Sequence, residues 1–162
     1  MPIGDPMGGE TPESDIGGHL YIEAVMVPVS DFDKALEFYT EVLNFTIADD
    51  RRAEGRIELC LPEGGARIVL YLPRPGEEEP GIRTGIILAT DSVYDLHKVL
   101  VDEDVEFIVK PERDRFGRLI VRFLDFDGNE IEAVDCPPAV PPARPKATAE
   151  SMAGGRCPRS KR

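Results

Sequence analysis

The sequence is poor in several features that define large classes of protein. It contains no tryptophan, only two histidines and three cysteines in 162 residues. The cysteines, Cys60, Cys136 and Cys157, are too few and too scattered for a disulfide framework, and none forms a CxxC metal motif. No apolar run approaches the length of a bilayer span, and no charged-then-apolar leader opens the chain. We therefore expect a soluble protein with a cytoplasmic location.

Basic residues are also scarce. Nineteen Lys and Arg stand against thirty-one Asp and Glu, which gives a formal net charge of -12. Residues 136–162 reverse this balance with six basic residues and one acidic residue, so the preceding body is more acidic still. Because an acidic body repels nucleic acid and anionic membranes, we expect neither as a partner.

Composition divides the chain into three parts. Residues 1–18 are rich in Gly, Pro and acids without periodicity, which is typical of a mobile N-terminal arm. Residues 136–162 are rich in Pro, Ala and Gly, which predicts a disordered basic tail. That tail could instead fold back on the acidic body, and its PPAVPPARP segment could dock as a polyproline helix on another protein. The ordered domain is expected over residues 19–135.

Within that domain the pattern strand, helix, strand, strand, strand occurs twice, over about 19–75 and 83–135. A sixty-residue offset superimposes the helix entry, the helix core, the helix stop and the apolar face of the next strand. The matched pairs are Asp31 with Asp91, Leu36 with Leu96, Asn44 with Asp104, Phe45 with Val105 and Ile47 with Phe107. We expect an α+β fold in which two tandem βαβββ modules form curved mixed sheets around a small-molecule groove.

Three segments carry a family resemblance: VPVSDFDKALEFYTEVLNF, RFGR and FLDFDGNEIEAVD. In this order and spacing they resemble the vicinal oxygen chelate superfamily, which includes glyoxalase I, bleomycin-resistance proteins, fosfomycin-resistance enzymes and extradiol dioxygenases. The resemblance covers nearly the whole ordered domain. It implies paired modules, a groove between them and, in many members, a divalent metal ion.

The resemblance also implies where metal ligands would lie. Metal-using members hold the ion with four side chains, usually His or Glu, two from each module. The first of each module corresponds here to Ala24 and Thr84, seven residues before the helix-entry aspartates. The second corresponds to Glu132 and to a residue within 69–71, where no His or carboxylate occurs. Only one of four positions keeps a suitable donor, so we expect no metal cofactor. Neither His19 nor His97 is expected to replace the missing ligands.

The remaining groove candidates follow from the same alignment. Glu132 is a candidate acid or base, because a carboxyl in a partly apolar hollow is suited to proton transfer. The alternative is that it pairs with Arg118 or Arg122 across the sheet. Other side chains expected to line the groove and bind a ligand are Tyr71, Thr84, Cys60, Phe116 and Arg118, although Cys60 could equally be a small core residue. Tyr39 is assigned to the core.

Two functional hypotheses remain open. The first is a metal-independent, homodimeric small-molecule-binding protein of the glyoxalase/bleomycin-resistance type, which sequesters an apolar or aromatic metabolite or antibiotic. The second is a glyoxalase-like lyase or isomerase that uses Glu132 as acid or base, or a non-standard divalent metal site. A weaker third hypothesis is a regulatory domain whose ligand is another protein.

Overall fold

The computed structural model describes residues 20–136, so the predicted N-terminal arm and basic tail lie outside the described residues. The first module contains β1 (Ala24–Pro28), α1 (Phe32–Leu36), a π-helical segment (Glu37–Val42), β2 (Thr46–Arg51), a 3-10 turn (Arg52–Glu54), β3 (Arg56–Cys60) and β4 (Arg67–Tyr71). The second contains β5 (Arg83–Thr90), α2 (Val93–Asp102), β6 (Phe107–Arg113), β7 (Leu119–Leu124) and β8 (Glu130–Asp135). The predicted βαβββ repeat is confirmed.

Each module forms one four-stranded mixed sheet. The strand order is β1-β4-β3-β2 in the first sheet and β5-β8-β7-β6 in the second. The pairs β1–β4 and β5–β8 are parallel and the other pairs are antiparallel. The α+β class is therefore as expected. Neither helix within residues 20–136 is long and apolar enough to cross a membrane.

One hydrophobic core joins the two modules. Alternate strand residues such as Val27, Leu70 and Val121 are fully buried and belong to a single cluster with residues of both helices. Phe38, in the first module, lies 6.4 Å between ring centroids from Phe123 of the second sheet. Each module is too small to bury its own apolar face, so the shared core makes the pair the stable unit.

The two helices begin and end as the sequence predicts, with one difference. Asp31 caps α1, whereas Ser92 rather than Asp91 caps α2 with its hydroxyl. Asn44 and Asp104 both adopt the left-handed conformation at the helix stop, with φ of 59° and 54°. The stop follows the cap by thirteen positions in the first module and by twelve in the second. The π-helical segment of the first helix accommodates the additional residue.

The first strand is shorter than its alternating pattern suggests. Residues 20–23 were expected to belong to it, but β1 begins at Ala24. Leu20, Tyr21 and Ile22 are 86%, 78% and 74% exposed, so this part of the chain does not contribute to the core. The alternating pattern was misleading because a strand also needs a neighbouring strand to pair with, and alternation does not show whether one is present.

Polar groups fix the junction between the modules. Asn129, which is fully buried, donates from Nδ2 to the Pro28 carbonyl at 2.9 Å, and its Oδ1 accepts from Gly81 N at 2.9 Å. The Tyr39 hydroxyl donates to Asp125 Oδ2 at 2.8 Å. The bonds of Asn129 to Pro28 and of Tyr39 to Asp125 connect residues of different modules, and they fix how the two sheets lie relative to each other.

Candidate functional site: the open faces of the two sheets

Strand alternation places a second set of side chains on the faces that the helices leave uncovered. In the first sheet these include Met26 and Glu58, which both pair with Val69 on β4. Glu58 lies between the fully buried Ile57 and Leu59, and Met26 precedes the fully buried Val27, so the two side chains point away from the core. In the second sheet the same logic places Ile87 and Arg122 on the open face beside Glu132. We call these two surfaces the open faces.

The strand registers define which positions of the open faces are equivalent. Val69 is the centre of the first sheet, paired with Met26 on one side and Glu58 on the other. Glu132 is the centre of the second, paired with Ile87 and Arg122. Val69 therefore corresponds to Glu132, which resolves the counterpart that the sequence left within residues 69–71. It also follows that Glu58 corresponds to Arg122.

The donors at these equivalent positions do not fit a divalent metal ion. Ala24 and Val69 carry no donor, and β5 is irregular between Arg83 and Ile87, so the counterpart of Ala24 falls within residues 83–85. These are Arg, Thr and Gly, none of which replaces His or Glu as a ligand. Within residues 20–136 no group of three or more His, Cys, Asp or Glu side chains could hold a metal ion.

The hydroxyl of Thr84 is already used by the backbone. It donates to the Glu130 carbonyl at 2.7 Å and accepts from Ile86 N at 3.1 Å. Gly85 follows with φ of 73°, a conformation that glycine adopts without strain. Thr84 therefore holds the irregular start of β5 in place.

Glu132 forms an ion pair with the arginine directly opposite it. Arg122 Nε donates to Glu132 Oε2 at 2.8 Å, and the two side chains are 30% and 13% exposed. The hydrogen bond to Glu132 raises the pKa of Arg122, with a further contribution from the nearby charge of Glu130. Of the two arginines that the sequence offered, Arg122 is the partner of Glu132, and Arg118 binds Asp114 at 2.7 Å instead.

A small cavity of about 60 Å³ lies beside this pair. Its lining residues are Arg83, Gly85, Ile86, Ile87, Glu130 and Glu132. Glu130 lies 3.7 Å from Arg83 Nε and 3.8 Å from Arg122 Nε, so its carboxylate is held only by longer ionic contacts. The cavity thus combines an apolar wall with two carboxylates.

The first sheet has its own partly buried carboxylate, which the sequence did not reveal. Glu58 is 14% exposed and is bound by Arg67 Nη1 at 2.7 Å and also by Arg56 Nη2. Arg56 and Glu58 are two residues apart in the sequence, which indicates that they share a face of β3. The contact with Arg67 could not be predicted, since Arg67 lies on the neighbouring strand. The open face of each sheet therefore carries one arginine-bound glutamate.

The other predicted ligand-binding residues lie in two places, the first sheet and the turn between β6 and β7. Tyr71 and Cys60 belong to the first sheet, where Cys60 is buried with 5% exposure. Burial raises the pKa of Tyr71, and the charges of Glu78 and Glu77 add to the increase.

Phe116 and Arg118 lie together in the turn between β6 and β7. Phe116 is 69% exposed, and the Arg118 guanidinium carbon is 5.6 Å from its ring centroid. The Asp114 carboxylate holds Arg118 in this position. These two residues could contact a ligand only at the margin of the second sheet.

Exposed apolar side chains also lie among the charged residues of the open faces. Met26 and Ile87 are 57% and 54% exposed, and Ile108 on β6 is 49% exposed. A second hollow, with a volume of about 550 Å³, lies at the end of the first sheet, where Val29, Ser30 and the loop from Leu72 to Pro80 surround it. Its volume lies within the range of small-molecule sites.

Neither histidine is placed on the open faces by the structure. His97 is on α2, where its ring packs 4.7 Å from that of Phe107. Its Nε2 atom is buried and has no hydrogen-bond partner in the described part of the chain. His19 lies outside the described residues.

Comparisons with known proteins agree with this architecture. A family model described as Glyoxalase/Bleomycin resistance protein/Dioxygenase superfamily matches residues 21–133. Protein YetH of Bacillus subtilis (strain 168) is 29% identical over 111 residues, which cover 67% of this chain and 92% of YetH.

Solved structures give the same result. A member of the superfamily from Sphaerobacter thermophilus is 28% identical with a TM-score of 0.66, and the match covers 73% of this chain and 98% of the other. TnmS3, an antibiotic binding protein from Streptomyces sp. CB03234, is 25% identical with a TM-score of 0.64, over 72% and 96% of the two chains. A lactoylglutathione lyase from Agrobacterium tumefaciens, 16% identical with a TM-score of 0.58 over 70% and 92% of the two chains, shares the fold.

Proposed function

The chain belongs to the Glyoxalase/Bleomycin resistance protein/Dioxygenase superfamily, and we propose that it is a metal-independent small-molecule-binding protein. Its ligand is an apolar or aromatic metabolite or antibiotic, which it sequesters on the open faces of its sheets. The similarity to the antibiotic binding protein TnmS3, which covers 72% of this chain, supports this class of function.

One observation carries the proposal. At the positions that correspond to metal ligands in the family, Ala24 and Val69 offer no donor and Thr84 has its hydroxyl bound to the backbone. Glu132, the remaining donor, is paired with Arg122. A catalytic divalent ion needs about three protein ligands and an open coordination position. The open faces instead present exposed apolar side chains around fixed ion pairs, which suits binding more than metal-assisted turnover.

The proposal includes a homodimer. Met26, Ile87 and Ile108 expose apolar surface on the open faces, and a second copy placed over these faces would cover that surface and enclose a ligand. The proposed location of the protein is the cytoplasm, as expected from the sequence. Sedimentation at several protein concentrations tests the dimer, and cell fractionation tests the location.

Metal content and binding can be tested on one preparation. The full chain is purified without chelators, its metal content is determined by mass spectrometry, and it is titrated with 8-anilinonaphthalene-1-sulfonate before and after EDTA treatment. We expect substoichiometric metal and unchanged dye binding. A stoichiometric divalent ion whose removal abolishes binding would contradict metal independence.

A matched pair of variants locates the binding surface. Ile87→Glu places a charge in the apolar part of the second open face, whereas Tyr94→Glu places one on α2, where Tyr94 is similarly exposed at 59%. We expect Ile87→Glu to weaken dye binding and Tyr94→Glu to leave it unchanged. Equal effects of the two variants would refute the assignment of the ligand to the open faces. Turnover of a substrate that is lost in Glu132→Gln would instead favour the lyase or isomerase hypothesis.

A further inference from the structure

The two glutamates of the open faces differ in how many of their oxygens are occupied. Glu58 is bound at Oε1 by Arg56 and at Oε2 by Arg67. Glu132 is bound only at Oε2, by Arg122 Nε, and its Oε1 makes no hydrogen bond to any residue within 20–136. Since an ionised carboxylate can accept several hydrogen bonds, Glu132 retains acceptor capacity that Glu58 has used.

Arg122 has the complementary capacity. Its Nε is committed to Glu132, but its two terminal nitrogens make no hydrogen bond to a described residue. The guanidinium is planar and donates only, so its remaining N–H groups have a direction that the Nε bond fixes. The pair therefore holds an unused acceptor and unused donors side by side.

The surroundings of this pair suit a small polar group attached to an apolar body. The adjacent cavity of about 60 Å³ has room for a small polar group. Ile87, directly opposite Glu132 in the sheet, is 54% exposed and offers apolar surface just outside this cavity. A ligand can thus place its polar edge on the pair and its apolar part on Ile87.

We propose that the Arg122–Glu132 pair selects ligands that carry an amide-type edge, in which an N–H donor stands next to a carbonyl acceptor. Primary carboxamides, lactams and imides have this edge. The ligand N–H donates to Glu132 Oε1, and the ligand carbonyl accepts from a terminal nitrogen of Arg122. This inference rests on the proposed function and specifies the chemical class of its ligand.

Discrimination between ligands with and without this edge follows from the charges of Glu132 and Arg122. A ligand without the N–H leaves Glu132 Oε1 desolvated and unpaired, and a ligand without the carbonyl does the same to the guanidinium. Sites built to satisfy a polar group reject analogues that lack it more strongly than apolar pockets reject a change in size. The pair is therefore a specificity determinant, while the apolar surface supplies most of the affinity.

The test uses three probes of nearly equal shape: 2-naphthamide, N,N-dimethyl-2-naphthamide and methyl 2-naphthoate. Only the first has both the donor and the acceptor. Binding to the full chain is measured by fluorescence titration and by the NMR signal of the Arg122 Nε–H group. We expect 2-naphthamide to bind about tenfold more tightly than the other two and to shift the Arg122 signal.

Variants distinguish this inference from general apolar binding. In Glu132→Gln the side-chain carbonyl can keep the contact with Arg122 while an amide N–H replaces the free oxygen, so the preference for 2-naphthamide over methyl 2-naphthoate should be lost. Arg122→Lys, which keeps the charge without the planar fork, should reduce the preference as well. Asp50→Asn is the matched control, since Asp50 pairs with Arg52 at 2.8 Å on β2, away from the pair.

The outcomes separate the two proposals. Equal affinity for all three probes, or no binding of any of them while 8-anilinonaphthalene-1-sulfonate binds, overturns the amide-edge inference and leaves the proposed function standing. Failure of that dye to bind overturns the proposed function itself. Circular dichroism of each variant confirms that it is folded before its affinities are compared.

Discussion

Replacing Tyr39 by Phe removes a single hydroxyl from the junction between the modules. Tyr39 is 1% exposed, and its hydroxyl donates to Asp125 Oδ2 at 2.8 Å. Asp125 is also buried, and Asn129 Nδ2 donates to the same oxygen at 2.8 Å. Because Phe keeps the ring, Tyr39→Phe leaves the packing intact and tests only the hydrogen bond.

The expected loss of stability is about 2 kcal/mol. A hydrogen bond to a charged group contributes about 1.5–3 kcal/mol, and the lower half of that range applies because Asn129 still satisfies the carboxylate. For a domain of this size, such a loss lowers the melting temperature by roughly 6–10 °C. Urea denaturation at pH 7, followed by circular dichroism, measures the change in the free energy of unfolding.

The effect should also depend on pH in a defined direction. Burial raises the pKa of Tyr39 well above its usual value, and the charge of Asp125 and the hydrogen bond to it raise it further. The folded protein therefore favours the neutral phenol. Its contribution to stability is complete below pH 10 and decreases as the pH rises from there towards the folded pKa, by at most about 1.4 kcal/mol per pH unit. The difference between wild type and Tyr39→Phe should accordingly decrease above pH 10.

Two results would refute this reasoning. One is a loss below about 0.5 kcal/mol at pH 7, which would place Tyr39→Phe among ordinary surface substitutions. The other is a difference between the two proteins that stays constant from pH 7 to pH 11. Tyr94→Phe, at an exposed position on α2, is the control and should change neither quantity.

Three further predictions concern positions outside the junction. His97→Leu should leave the free energy of unfolding unchanged or raise it, since it removes a buried Nε2 that has no partner among residues 20–136. A loss above about 1 kcal/mol in urea denaturation would show that the ring contact with Phe107 stabilises the fold by more than the unpaired Nε2 costs. Asn44→Val should lower stability by about 1–2 kcal/mol, because φ is 59° there, whereas Asn44→Gly should not; equal effects would refute the conformational cause. At Asp114, burial would raise the pKa, but hydrogen bonds from the backbone and guanidinium of Arg118 and from a second backbone amide outweigh it and lower the pKa. The resulting stabilisation is present above about pH 4 and is lost as the pH falls through the folded pKa. The difference between the urea midpoints of wild type and Asp114→Asn should therefore be largest at pH 7 and decrease as the pH falls below about 4, and a constant difference would contradict this.

Much of the fold is encoded in local patterns. The cap at Asp31 and the stops at Asn44 and Asp104 were readable because each depends on the conformational preferences of one residue and its nearest neighbours. The second cap was placed one residue early, at Asp91 rather than Ser92, since both residue types can cap a helix. The distance from cap to stop is one residue longer in the first module than in the second, and the π-helical segment accommodates that residue. It was not predicted, because the sixty-residue offset aligned Asp31 with Asp91, which is not the second cap.

The candidate site was harder to predict from the sequence than the fold. The pairing of Glu132 with an arginine was one stated alternative, but the choice of Arg122 over Arg118 depends on the register of β7 and β8. Glu58 was missed because its partner Arg67 lies on the neighbouring strand, so their contact depends on the pairing of β3 and β4. The predicted contacts of Tyr71, Cys60 and Phe116 with a ligand stay predictions.

The sequence alone determined the duplicated βαβββ architecture, since that follows from periodicity, whereas the positions compared with metal ligands came from the family resemblance. The tertiary structure decided which of the remaining polar groups meet. Tyr39 and Asp125 are 86 positions apart, and Arg122 Nε reaches Oε2 of Glu132 while Oε1 has no hydrogen-bond partner among residues 20–136. A hydrogen bond depends on distances of a few tenths of an ångström, and these arise only when separate strands are brought into register.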